Sequence, residues 1–134
     1  MSLKAVLRWL LTIAMVLAGA NHFIDPATYV AMMPSALPWP LELVYISGVF
    51  EILGGIGLIH PRTRRLAGWG LIALFIAVFP ANVNMAINHL PLGDRPVPEW
   101  ALWARLPLQV VLILWAWWVS RPTARAASLT YEAR

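Results

Sequence analysis

Four long apolar stretches, at about residues 3–23, 41–60, 66–88 and 100–120, alternate with short polar or proline-rich connections. At about 1.5 Å of rise per residue, each makes a helix long enough to cross a hydrocarbon layer about 30 Å thick. The first stretch follows Lys4 and Arg8, and Ala18-Gly19-Ala20 near its end gives it some likeness to a cleavable signal; we read it as a permanent anchor. Thr12, Met15, Gly19 and His22 recur along it at helical spacing, so one face is small and weakly polar. Between the first two stretches, Asp25-Pro26 forms an N-cap and first-turn pair and Pro34 forms a stop. A short helix lying at the membrane surface follows, where Tyr29 and Trp39 suit the interface. The third stretch changes character at Phe79-Pro80-Ala81-Asn82-Val83-Asn84, and Pro80 predicts a kink because it has no N–H to donate. Asn84 and Asn88 share one face of it, while Asn82, Met85 and His89 share roughly the opposite one; the pattern leaves open which looks inward. Pro91, Pro96, Pro98 and the Gly93-Asp94 pair make the next connection an extended loop with a turn. The fourth stretch carries Arg105 and Gln109 one turn apart, with Pro107 between them. Trp115, Trp117 and Trp118 mark its far interface, and the tail from 121 to 134 is polar.

The second stretch, LELVYISGVFEILGGIGLIH, holds the position that most needs explaining. Glu51 lies about 15 Å from its start, near the centre of a bilayer, where an ionised acid costs at least about 2.5 kcal/mol. Such a group must be protonated, paired, or turned toward a wet or protein-lined interior. Ser47, Gly48, Gly54 and Gly55 sit three or four residues away, so small residues on that face let another helix approach and place Glu51 between helices.

Composition agrees with the pattern: of 134 residues, 60% are hydrophobic and 12% charged, with a mean hydropathy of +0.70, against about 25% charged in soluble domains. The expectation is an all-α integral membrane bundle of four transmembrane helices in a single domain, in contact with the lipid bilayer. The net charge of +4 does not indicate a nucleic-acid partner, because the basic residues gather at span ends. Lys4, Arg8, Arg62, Arg64, Arg65, Arg121, Arg125 and Arg134 fall on one side, against Arg95 and Arg105 on the other, which predicts cytoplasmic N and C termini. With no cysteine, disulfides, Cys-ligated clusters, covalently attached c-type haem and thiol relays are excluded.

In that orientation the polar residues of three spans fall in the outer half of the membrane, at depths of about 15 Å for Glu51, 13 Å for Gln109, 9 Å for Asn84 and 7 Å for Arg105. We expect an Arg105–Glu51 contact, direct or through Gln109, since the pair would relieve two desolvation penalties together. His22, Glu42 and His89 would form the outer rim, and Tyr45 and Asn88 complete the candidate ligand-binding set. These groups are either structural glue between helices or the lining of a pocket for a lipophilic ligand that exchanges protons with Glu51 or His89. A metal or haem site from His22, His89 and nearby carboxylates has no supporting spacing such as H-E-x-x-H, and no catalytic motif is present.

Several of these residues also carry a resemblance. His22-Phe23 followed by Pro26, Met33-Pro34, Val44-Tyr45-Ile46-Ser47-Gly48 with Glu51, Gly54-Gly55-Ile56-Gly57-Leu58, Phe79-Pro80-Ala81-Asn82 and Arg105-Leu106-Pro107-Leu108-Gln109 together resemble the DoxX-like family of small four-helix membrane proteins, over nearly the whole chain. The resemblance implies a bacterial inner-membrane protein. The family takes its name from a small subunit of a quinone-linked oxidase system, a related branch pairs with thiosulfate:quinone oxidoreductase, and distant animal relatives act as receptor assembly factors. The leading expectation is a membrane-embedded subunit of a redox system, at most a quinone-linked oxidoreductase subunit, which binds a quinone non-covalently and works with a redox partner. The alternatives are a non-enzymatic assembly factor that docks helices on its polar seam, or a small-solute carrier; a homo-oligomer fits any of them.

Overall fold

The computed structural model describes residues 1–123 and 131–132; Arg125 and Arg134 of the polar tail lie outside the described residues. Five helices follow in order: α1 (Leu3–Ile24), α2 (Pro26–Met32), α3 (Pro40–Gly57), α4 (Arg64–Ile87) and α5 (Glu99–Ser120). All but α2 are long and apolar enough to cross a membrane. Their outward faces carry large apolar side chains, among them Leu10, Ile13, Leu17, Phe50, Leu53, Ile76, Val111 and Leu114. Helices apolar on every side suit lipid outside as well as protein inside.

Local sequence sets the element ends. Ser2 caps α1 through its hydroxyl, which accepts from Ala5 N–H at 3.2 Å. Asp25 accepts from both the backbone N–H (3.4 Å) and the hydroxyl (2.6 Å) of Thr28, starting α2 with Pro26 in its first turn. Met33, ahead of Pro34, is extended and ends α2. The basic turn after α3 is tied by Arg64, whose guanidinium donates to the carbonyls of Leu58 (2.9 Å) and Ile59 (2.8 Å). Leu92 and Arg95 exchange backbone hydrogen bonds of 2.9 and 3.1 Å around Gly93-Asp94, with Gly93 at φ 62°. α4 continues helically through Pro80.

The long helices pack as a ring, α1 on α3, α3 on α4, α4 on α5, and α5 back on α1, while the backbones of α3 and α5 stand apart across the diagonal. Successive members run antiparallel, as Gly48 beside His22 and Gly55 beside Met15 demonstrate for α1 and α3. The α1–α3 seam is the tightest. A Cβ added at Gly19 would sit 2.6 Å from the Gly48 carbonyl oxygen, and the Thr12 hydroxyl donates to the Gly55 carbonyl at 2.9 Å. Small residues permit this backbone approach.

Two apolar cores fill the ring. One, at the end of the basic turn, joins Leu11, Met15, Leu58, Leu71, Ile72, Phe75, Ala116 and Val119. The other, under α2, joins Met32, Met85, Ala86 and Leu102, with Tyr29, Leu90 and Val97 against it. At the first end Arg8 donates to the Val119 carbonyl at 3.0 Å, and Lys4 and Arg121 lie over the rings of Trp118 and Trp117 at 5.3 and 4.4 Å.

Candidate functional site

Between the two cores the packing leaves a cavity of about 300 Å³. Its apolar wall comes from Met15, Ala18, Met32, Met33, Val44, Phe75, Val78, Ala81 and Leu112; its polar wall comes from His22, Tyr29, Ser47, Glu51, Asn82, Arg105 and Gln109. Side chains from all five helices meet here, on the diagonal that separates α3 from α5.

Glu51 projects from the small face of α3 and is 9% exposed. Its nearest polar partner is His22 of α1, with Nε2 to Oε2 at 3.5 Å. The seam built on Gly19 and Gly48 carries His22 to this place, because it brings the α1 backbone against α3 one turn before Glu51. His22 Nδ1 lies 2.8 Å from the Val44 carbonyl, an acceptor only, so Nδ1 carries the hydrogen. The Ser47 hydroxyl donates to the same carbonyl at 2.9 Å and lies 3.0 Å from Nδ1. Nε2 therefore meets the carboxyl either as a lone pair facing a carboxylic acid or as an N–H facing a carboxylate. Two bare lone pairs in a buried site would repel without compensation, so the pair holds one proton between its members and is neutral. The contact is loose, and Glu51 Oε2 is left buried without a hydrogen-bond partner. The Tyr29 ring covers His22, centroid to centroid 3.9 Å, and its hydroxyl accepts from Asn21 at 2.9 Å.

Gln109 forms the opposite wall. Its Nε2 donates to the Phe75 carbonyl at 2.9 Å, and its oxygen accepts from Asn82 at 3.2 Å. Both ends of the amide are committed to α4, one residue from the Ile76 carbonyl that Pro80 leaves without its helical donor.

The expected Arg105–Glu51 contact is corrected by this geometry. His22–Glu51 is the acid–base contact found among the described residues, and Arg105 has no carboxylate within 4.0 Å. The reason is topological: α3 packs on α1 and α4, and α5 lies across the cavity from it. Gln109 provides no relay, since α4 occupies its amide. Of the sequence candidates, His22, Glu51, Arg105 and Gln109 share the cavity, with His22 buried in its wall against Glu51. Asn84 instead donates to the Met32 carbonyl at 3.0 Å, closing the end of α2, and Asn88 donates to Asn84 at 2.8 Å. His89 is exposed with φ 49°, Glu42 is exposed, and Tyr45 stacks on Phe23 at 5.3 Å, all outside the cavity. Asn82, Ser47 and Tyr29 line it although the sequence did not single them out as ligand contacts. The stripe Thr12, Met15, Gly19, His22 was the signal for His22; the choice between the two Asn faces of α4 had none. Among the described residues no three His, Asp or Glu side chains gather as a metal-binding set.

Fold and site together define a class: a helical membrane bundle with a partly open cavity between its spans, lined by both polar and apolar side chains and holding a buried acid. A family model described as a domain of unknown function, DUF8561, matches residues 11–120. The chain belongs to that family, and the match takes in α1 from Leu11 onward, the other three long helices and every residue of the cavity. No curated protein and no solved structure matches it.

Proposed function

We propose that the chain is a bacterial inner-membrane subunit that binds a lipophilic carbonyl compound of the quinone class in this cavity and exchanges protons with it, in association with a redox partner and with both termini cytoplasmic. The likeness to the DoxX-like family suggests the setting. The observation that carries the reading is the buried Glu51–His22 pair, one carboxyl oxygen of which has no hydrogen-bond partner, in the wall of a cavity with one apolar and one polar side. A volume of about 300 Å³ is at the lower end of small-molecule sites, enough for a ring while a tail leaves between helices.

A bound quinone would supply the electron chemistry. The chain supplies the surroundings. The Glu51 carboxyl and His22 Nε2 together carry one proton, which would pass to a carbonyl oxygen or be taken from a hydroxyl of a ligand beside them. The Val44 carbonyl fixes the tautomer of His22, so that proton can sit only on the cavity side. Gln109 and Asn82 hold each other and stiffen the opposite wall. Phe75, Val78 and Leu112 keep that space apolar.

Burial of His22, Glu51 and Gln109 inside the ring leaves little polar seam for docking a partner helix, which favours a ligand over an assembly role. The test is solvent extraction of the protein purified from native membranes, followed by chromatography. Quinone near one equivalent per chain is expected, and its absence together with no binding on titration would refute the reading.

A further inference from the structure

A second, wider depression of about 810 Å³ lies beside the cavity, bounded by the end of α1, by α2 and by the turn at 92–95. Tyr29, Met32 and Arg105 line both spaces, so Arg105 stands where the two meet. The depression is the more polar of the pair, with Asn21, Asp25, Thr28, Asp94 and Arg95 on its wall. Gly93 holds the turn against α2, since a Cβ there would meet the Thr28 hydroxyl at 3.2 Å.

The charges of this route can be counted. The depression carries Asp25 and Asp94 together with Arg95 and Arg105, and Asp25 is engaged by Thr28. In the cavity, Glu51 and His22 share one proton and sum to zero, and Tyr29 is a neutral phenol. Arg105 is left as the net charge of the inner space, half-buried and with no carboxylate within 4.0 Å among the described residues. A guanidinium presents a planar fork of donors suited to two oxygens of an anion, and a desolvated cation gains most from an anion that comes to it.

We propose that the cavity's ligand carries an anionic oxygen head which reaches the site from water through the depression and is held by Arg105, with the ligand's apolar part lying among Met15, Phe75, Val78 and Leu112. This deepens, and rests on, the reading of the cavity as a ligand site: it restricts the ligand to lipophilic acids, such as a quinone bearing an ionised hydroxyl or a long-chain carboxylate.

The absence of cysteine makes the route directly testable. Ala18→Cys and Ala81→Cys each place one thiol on the cavity wall, and Ala73→Cys on the exposed outer face of α4 is the lipid-side control. The proteins are reconstituted in lipid nanodiscs, where both faces meet water. They are treated with anionic sulfonatoethyl methanethiosulfonate and with its cationic trimethylammonioethyl counterpart, and each rate is divided by that for a free thiol. Both cavity thiols are expected to react while the control does not, with the anionic reagent favoured about tenfold. Arg105→Gln should abolish that preference and Arg105→Lys should retain it. Octanoate should slow the labelling, and acetate at equal concentration should not. Unreactive cavity thiols, or a preference that is absent or survives Arg105→Gln, overturn the proposal; equal protection by acetate overturns its lipophilic part. Quinone recovered from a protein with unreactive cavity thiols would sink this inference and leave the quinone reading standing, whereas anion-selective thiols without any quinone would do the reverse.

Discussion

His22 spends its Nδ1 hydrogen on the Val44 carbonyl, so Nε2 is the atom left to meet Glu51, and the two residues depend on one proton. Removing one member leaves the other buried alone. His22→Ala is therefore expected to lower unfolding stability in detergent by about 3 kcal/mol, the usual penalty for stranding a buried charge partner. Glu51→Gln should lose much less, because its amide can donate to Nε2 and fills the same volume. Arg105→Gln should shift stability by less than about 1 kcal/mol, since Arg105 makes no ion pair that the change would break. Thermal or denaturant melts of the three variants decide the order; a larger loss for Arg105→Gln than for His22→Ala would restore the Arg105–Glu51 pairing. The need for company at Glu51 was legible in the sequence, because hydrocarbon penalises an acid wherever the rest of the chain goes. The identity of the partner was not, because depth along a helix axis says nothing about which helix lies next to which.

At the scale of elements, the seam between α1 and α3 depends on glycines where a side chain has no room. Gly19→Ala would drive a methyl toward the Gly48 carbonyl, 2.6 Å from the new carbon, and should destabilise by about 1–3 kcal/mol, as overpacking of a close-packed interior does. Gly70 is the counter-case. A Cβ there meets nothing within 4 Å, so Gly70→Ala should be neutral or stabilise α4 by up to about 1 kcal/mol through helix propensity. Paired melts of the two variants check both expectations, and a stable Gly19→Ala would show that the seam is loose. Helix positions were legible from length and hydropathy: α1, α4 and α5 begin and end within two residues of the apolar stretches, while α3 stops at Gly57 because Leu58 to His60 turn toward Arg64. Which face of α4 looks inward was not legible. Asn82 and Asn84 are both half-buried, and the decision rests on Gln109 from α5 meeting one and the Met32 carbonyl meeting the other.

At the scale of the whole molecule, two apolar cores held apart by a diagonal gap create the cavity, and its polar wall places the acid–base pair at its edge. Filling the gap should keep the bundle while removing its capacity to bind. Ala18→Leu puts three further carbons on the cavity wall and is expected to leave stability within about 1.5 kcal/mol of wild type, as a substitution into empty space. The most direct measurement is therefore equilibrium titration of a short-tailed quinone into the purified wild-type, Ala18→Leu and Glu51→Gln proteins, followed by quenching of intrinsic tryptophan fluorescence. Saturable one-to-one binding to wild type, weakened at least about tenfold in both variants while their melts stay close to wild type, is the predicted result. Binding that is absent from wild type, or equal in all three proteins, would contradict the account.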